Sequence, residues 1–325
     1  MREIHRAQVQ VADAKSLIWA GGELVDVSAG WRPIPLDGST APSRFGPYGP
    51  QFDAATISPL GDVAVLMATA GTKALVLGPD GTVRREINRS YYHAEAYRYP
   101  LTLCTMEDGR TGLVHCPSGY NRLDVEDALT GQLLTTGESP EQADIFHSRL
   151  MVPASGRYLL SAGWVWHPWD VVVVYDLQEA LTDRSVLDSW RGSFDLTDLS
   201  STEVSGACFA GDDLVVSTSS EDEDEELMRL SLADGGFRWR RQLDRTAGDL
   251  LPIAGDILSV HEFPRLYSGE DGELLAEWPD LATGRSGTSI VWDKTFSGPA
   301  RVAVDEAGRR FAVTDGERVT VIHLG

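Results

Sequence analysis

The sequence predicts an all-β fold, a four-stranded antiparallel sheet repeated seven times within one domain covering residues 1–325. Three observations carry that expectation. Short turns centred on Gly21, Gly61, Gly109, Gly156, Gly211, Gly255 and Gly308 recur at intervals of 40, 48, 47, 55, 44 and 53 residues, a period that suits four strands and their connections. A second turn series, GPDGT (78–82), ALTGQ (128–132), ADGGF (233–237) and EDGEL (270–274), follows several of the first turns by 17 to 24 residues. The segments between them, such as DVAVLMATA, RYLLSAGWVW, DVVVVYDL and RRFAVTD, are rich in Val, Leu, Ile and Thr. Sustained helical periodicity is scarce.

Each element follows from its place in this pattern. IHRAQVQV (4–11) precedes the first turn and has no sheet of its own, so it is expected to serve as the outer strand of the seventh sheet. Gly and Asp at the turns reach positive φ cheaply, which suits tight hairpins. DLQEALTDRSVLDSW (176–190) is the one stretch with helical character. RVTVIHLG (318–325) supplies the third strand of the last sheet, and pairing it with residues 4–11 closes a ring and removes an exposed edge.

Composition narrows the function classes. Acidic residues outnumber basic ones 49 to 28, for a net charge of -21. Such a field repels polyanions, so nucleic acid and anionic membrane are not expected partners. No apolar run approaches a membrane span or a signal-peptide core. Cys104, Cys116 and Cys208 are odd in number and widely spaced, as expected of buried thiols in a cytoplasmic protein. A monomer is expected. Phosphate-loop, dinucleotide, nucleophile-elbow and EF-hand motifs are absent.

VVVYDLQEA and LDVEDALTGQ read as a third strand followed by its turn. With the seven-fold turn series, the chain resembles a seven-bladed β-propeller of the WD-repeat or YVTN-like kind over essentially its whole length. The resemblance is architectural: the Gly-His and Trp-Asp signatures are mostly missing, so no site residue is carried over from it.

In a four-stranded meander of strands A to D, the A–B and C–D turns share one face, and the B–C and D–A connections share the other. The glycine turns mark the first face. His93 and His147 precede first strands; His115, His167 and His261 end second strands. All five are therefore expected on the second face, while His5 and His323 belong to the closing strands. The stretch SAGWVWHPWD (161–170) becomes the tip of the fourth B–C hairpin. Trp164 and Trp166 alternate toward one side of it, and Trp169 sits at the rim.

His93, Glu95 and Tyr97 have period-two spacing and would face the same way in an extended segment. Tyr97, Arg98, Arg149, Trp166, Trp169 and His261 form a candidate ligand-binding set. His93, His147 and His167 are candidate acid–base groups. His93, Glu95, His115, His147 and His167 are candidate ligands for one transition metal ion. The opposing reading makes His147 part of a hydrogen-bond network with Ser161. SSEDEDEE (219–226) reads as a solvated B–C loop of the fifth sheet or as an attractor for a cation or basic partner. Two functions emerge: a small-molecule or metal-binding propeller with lyase- or hydrolase-like chemistry, or a non-enzymatic protein-interaction scaffold.

Overall fold

Turn chemistry sets the strand boundaries. The computed structural model describes residues 1–135, 137, 142–166, 169–196, 199, 202–219, 225–290 and 301–325. Six of the seven turn glycines adopt positive φ between the two strands they join; at the last turn Arg309, not Gly308, takes the left-handed conformation.

Seven antiparallel sheets are found among the described residues. The first contains β2 (Leu17–Ala20), β3 (Glu23–Asp26) and β4 (Arg32–Pro33). The second runs β5 (Ala54–Ile57), β6 (Ala64–Met67), β7 (Lys73–Leu77) and β8 (Val83–Asn88). The third holds β9 (Leu101–Thr105), β10 (Thr111–His115) and β11 (Asp124–Asp127). The fourth pairs β12 (Tyr158–Val165) with β13 (Trp169–Asp176), followed by the helix α1 (Leu177–Thr182) and a 3-10 turn over Arg184–Asp188. The fifth is β14 (Glu203–Ala210), β15 (Asp213–Ser219), β16 (Glu225–Leu230) and β17 (Phe237–Leu243). The sixth is β18 (Leu250–Ile253), β19 (Asp256–His261), β20 (Phe263–Tyr267) and β21 (Leu274–Glu277). The last contains β22 (Val302–Asp305), β23 (Arg310–Thr314) and β24 (Arg318–Leu324), with β1 (Glu3–Gln10) on its outer edge. There Ala7 lies opposite Val321, and Val9 opposite Val319.

Four strands per sheet are realised in four of these sheets, and local chemistry explains the rest. After β4 the chain carries Pro35, Pro42, Pro47 and Pro50, which lack the N–H that a ladder needs. In the third sheet the outer position is reduced to a bridge between Glu126 and Leu133. In the fourth, the inner strand is represented by two bridges, Phe146 with Trp164 and Met151 with Leu160. Arg149 between them has a φ of 47°, which breaks a regular ladder. Asp176 then caps α1 by accepting from the amides of Gln178 and Glu179, and the chain turns helical where a fourth strand would run.

The core lies between sheets. Val65, Val76 and Ile87 meet Leu101 and Leu113, while Leu160, Val172 and Val174 meet Val204, Val216 and Met228. Val319 and Val321 of the last sheet meet Leu17, Trp19 and Leu24 of the first. The middle strands such as β6, β10 and β15 are thus buried on both faces and read as near-continuous apolar runs, whereas the outer strands β1, β8, β17 and β21 are largely exposed.

Candidate functional site

The SAGWVWHPWD stretch is built on a close backbone approach. A Cβ on Gly163 would lie 2.0 Å from the Phe146 carbonyl oxygen, so only glycine lets the Phe146 chain lie against β12. Phe146 then exchanges two backbone hydrogen bonds with Trp164, at 2.8 and 3.1 Å. Their rings stack with centroids 4.1 Å apart and 11° between planes. Tyr120 stacks on Phe146 at 4.2 Å, and Tyr97 meets it edge-on at 5.4 Å. Tyr97, Phe146, Trp164 and Ile290 form the buried floor.

Above that floor the aromatics reach water. Tyr91 is 79% exposed, Tyr92 46% and Trp166 38%. Tyr92 touches His93 and Tyr120 at 4.5 and 5.0 Å, and His93 meets Trp166 edge-on at 5.4 Å. The cluster brings together one D–A connection, Tyr120 and the fourth hairpin. Trp164 is buried and Trp166 exposed because the alternation that aligns them also carries Trp166 past the end of the sheet.

His93 and Glu95 come together, but Tyr97 does not share their exposed side. His93 adopts a φ of 51°, and the Ala96 amide donates to its carbonyl at 2.9 Å, so the segment is a turn and period-two spacing does not apply. Glu95 projects into solvent, with its carboxylate 3.9 Å from His93 Nδ1. Tyr97 is fully buried, and burial pushes its hydroxyl up to about 12.

The turn is held from beneath by Arg89. Its guanidinium donates to the carbonyls of Gly71 (2.7 Å), Arg98 (3.1 Å) and Tyr97 (2.9 Å) and also to that of Ala94. It sits 4.4 Å from the centroid of the Tyr97 ring. Burial lowers its affinity for a proton. Nothing in the sequence separates Arg89 from an exposed strand-end arginine.

Arg98 and Arg149, both expected in a pocket, do converge. Each precedes an inner strand or bridge, as does Asp249, and they meet at one end of a cavity of about 280 Å³. Inner-strand residues of six sheets line it, among them Ala54, Leu101, Met151, Ala207, Leu250 and Val302. Arg98 pairs with Asp249 at 2.5 Å and donates to the Thr288 carbonyl at 3.2 Å. Arg149 donates to the carbonyls of Ala162 (2.9 Å) and Ser205 (2.8 Å). It lies 3.7 Å from Asp170 and 3.8 Å from Asp249. Asp170 also accepts from Thr288 and Ser289. Two arginines are matched by two aspartates, so the cluster offers no net charge to an anion.

The remaining histidines are scattered. His147 is buried with Nδ1 2.9 Å from Ser161 Oγ, the hydrogen-bonded arrangement that the Ser161 spacing suggested. Burial lowers its pKa to about 3, so it is neutral near pH 7 and lacks the imidazolium proton that a general acid donates. His115 is buried at the end of β10, 3.4 Å from Glu126, which Arg85 also engages at 2.6 Å. His261 ends β19 against Gly248, and burial lowers its pKa. Among the described residues no three His, Cys, Asp or Glu side chains come together as a metal-binding group. The candidate set His93, Glu95, His115 and His147 therefore does not assemble. His167 lies outside the described residues. Trp169 lies away from the aromatic cluster, on a groove beside β13.

No protein-family model matches the chain, and no curated protein matches it. Solved structures do. A chain of a mitotic checkpoint complex aligns at a TM-score of 0.59 and 12% identity, covering 100% of this chain and 96% of that one. The Cps50 (Swd1) β-propeller domain of Myceliophteria thermophila aligns at 0.58 and 11%, covering 98% and 99%. BamB from Moraxella catarrhalis aligns at 0.52 and 13%, covering 99% and 97%. The chain has the β-propeller fold, WD-repeat-like in architecture. No helix among the described residues is long and apolar enough to cross a membrane.

Proposed function

We propose that the seven sheets are the blades of one ring closed by β1 on β24, and that the molecule is a non-enzymatic protein-interaction scaffold. Two features support the ring. β2 packs beside both β5 and β22, and the apolar cluster around Trp19 joins the last sheet to the first.

The observation that carries the functional reading is the exposed pair Tyr92 and Trp166, which with His93 pack against Phe146 of a buried aromatic floor. Solvent-facing aromatics anchored this way lose little entropy on contact and bury large area, the property of interface hot spots. Acid–base chemistry has less support, because His147 is buried on Ser161 and Arg98 and Arg149 are engaged by Asp249 and backbone carbonyls. One similar structure is itself a chain of a mitotic checkpoint complex, in keeping with an assembly role.

The test is affinity capture from the native host with the parent protein and a Tyr92→Ala, Trp166→Ala variant. The reading expects a stoichiometric protein partner retained by the parent and lost by the variant at unchanged melting temperature. A partner held equally by both would place the contact elsewhere and overturn it.

A further inference from the structure

Close backbone approach also places Asp249. A Cβ on Gly206 would lie 1.9 Å from the Gly248 carbonyl oxygen, so glycine in β14 lets the chain entering β18 lie against it. The Asp249 amide donates to the Ser286 carbonyl at 3.0 Å, and Arg149 is fixed by the carbonyls of Ala162 and Ser205. Both side chains thereby border the cavity of about 280 Å³.

Most of the cavity wall is apolar, with Met67, Leu101, Met151, Leu250 and Val302 along it. Its charged lining residues are Arg98, Arg149 and Asp249, and Asp170 approaches Arg149 within 3.7 Å. Arg149 Nη2 and Asp249 Oδ1 are buried and have no hydrogen-bond partner among the described residues. The same holds for the hydroxyls of Thr69 and Tyr99, which also line the cavity. The Arg149 side chain is 9% exposed, Thr69 7% and Tyr99 5%. Native folds leave few such atoms, and each calls for an explanation. Here four belong to residues of one cavity.

We propose that this cavity takes a small neutral amphiphile whose head both accepts and donates hydrogen bonds, a primary amide or a lactam, with its apolar end among the inner strands. Arg149 Nη2 can only donate, and the Asp249 carboxylate oxygen can only accept. A carboxylate ligand would meet Arg149 but face the charge of Asp249. An ammonium would meet Asp249 but face Arg98 and Arg149. An amide serves both sides through its carbonyl and its N–H, and the hydroxyls of Thr69 and Tyr99 can take either role. The space lies near the lower bound of ligand sites, so the occupant is small. This site goes beyond the interaction reading and stands whether or not Tyr92 and Trp166 meet a partner.

Hexanamide is the probe. Hexanoate, hexylamine and methyl pentyl ketone are its controls, the ketone keeping the acceptor and losing the donor. NMR of methyl-labelled methionines reads the site, because Met67 and Met151 line the cavity while Met1, Met106 and Met228 do not. Hexanamide is expected to shift the Met67 and Met151 signals with a Kd of about 1 mM. Each control should bind at least about tenfold more weakly, because it leaves one side of the head site unmet. Ala54→Phe, which fills the cavity from β5, should abolish the shifts at retained melting temperature. Asp249→Asn removes the negative side of the head site and should reverse the order, with hexanoate binding more tightly than hexanamide. Tyr92→Ala should leave hexanamide binding unchanged. No shift at Met67 and Met151 with hexanamide, equal binding of any control, or shifts that persist in Ala54→Phe would overturn the proposal and leave the cavity to solvent.

Discussion

Replacing Arg89 with methionine tests how the aromatic face is held in place. Methionine keeps an unbranched stem against Tyr97 and Tyr99 but donates no hydrogen bond. The carbonyls of Gly71, Ala94, Tyr97 and Arg98 all lose a donor. A buried acceptor left unmet costs about 1–3 kcal/mol, and relief of the buried charge offsets part of that. The expected net loss is about 3–5 kcal/mol, or about 4–7 °C in melting temperature for a chain of 325 residues. Urea unfolding at constant slope is the assay. Arg84→Met, at an exposed residue paired with Asp80, should change stability by no more than about 0.5 kcal/mol. The Ala96 and Tyr99 amides, which bond to His93 and Thr69, should exchange faster in the Arg89 variant. A loss below about 1 kcal/mol with those amides still protected would refute the reasoning.

Two further outcomes follow. His147 has a folded pKa of about 3, depressed by burial, so in that window the unfolded chain binds the proton and the folded chain does not. Stability should therefore fall as pH drops from about 6.5 toward 4, by up to ~1.4 kcal/mol per unit from this group; His147→Gln should flatten that slope in pH-dependent urea unfolding, and a parallel slope would remove His147 as its cause. Deleting residues 1–12 removes β1 from β24 along with the Val9 packing and the Glu3–Trp278 hydrogen bond. The expected loss is about 3 kcal/mol with increased self-association, and a truncated chain melting at the parent temperature would contradict it.

The repeat was legible because its cause is local. Positive φ at Gly61, Gly109 or Gly211 is a demand of a single turn, and it leaves its mark in the sequence whatever surrounds it. The helical character of residues 176–190 was legible for the same reason, with Asp176 capping its first turn. What failed was extrapolation beyond neighbours. A turn with a left-handed residue at His93 left Glu95 beside His93 but buried Tyr97, and a lone histidine gives no warning of such a φ. The meeting of Arg98 with Asp249 joins residues 151 positions apart; Arg98 was a candidate from its sequence, but neither Asp249 nor the pairing was foreseen. Among the described residues α1 follows β13 where a fourth strand was expected, an outcome that strand propensity alone does not foresee.

The central claim is that the aromatic face bearing Tyr92 and Trp166, next to the exposed Tyr91, is where this propeller meets a partner. Photo-crosslinking measures it most directly, with a benzophenone amino acid placed at Tyr91 or, on the glycine-turn face, at Leu60, both of them exposed. Irradiation in the native host is predicted to give a discrete crosslinked protein from position 91 and none from position 60. The same species from both positions, or a species from position 60 alone, would contradict the account.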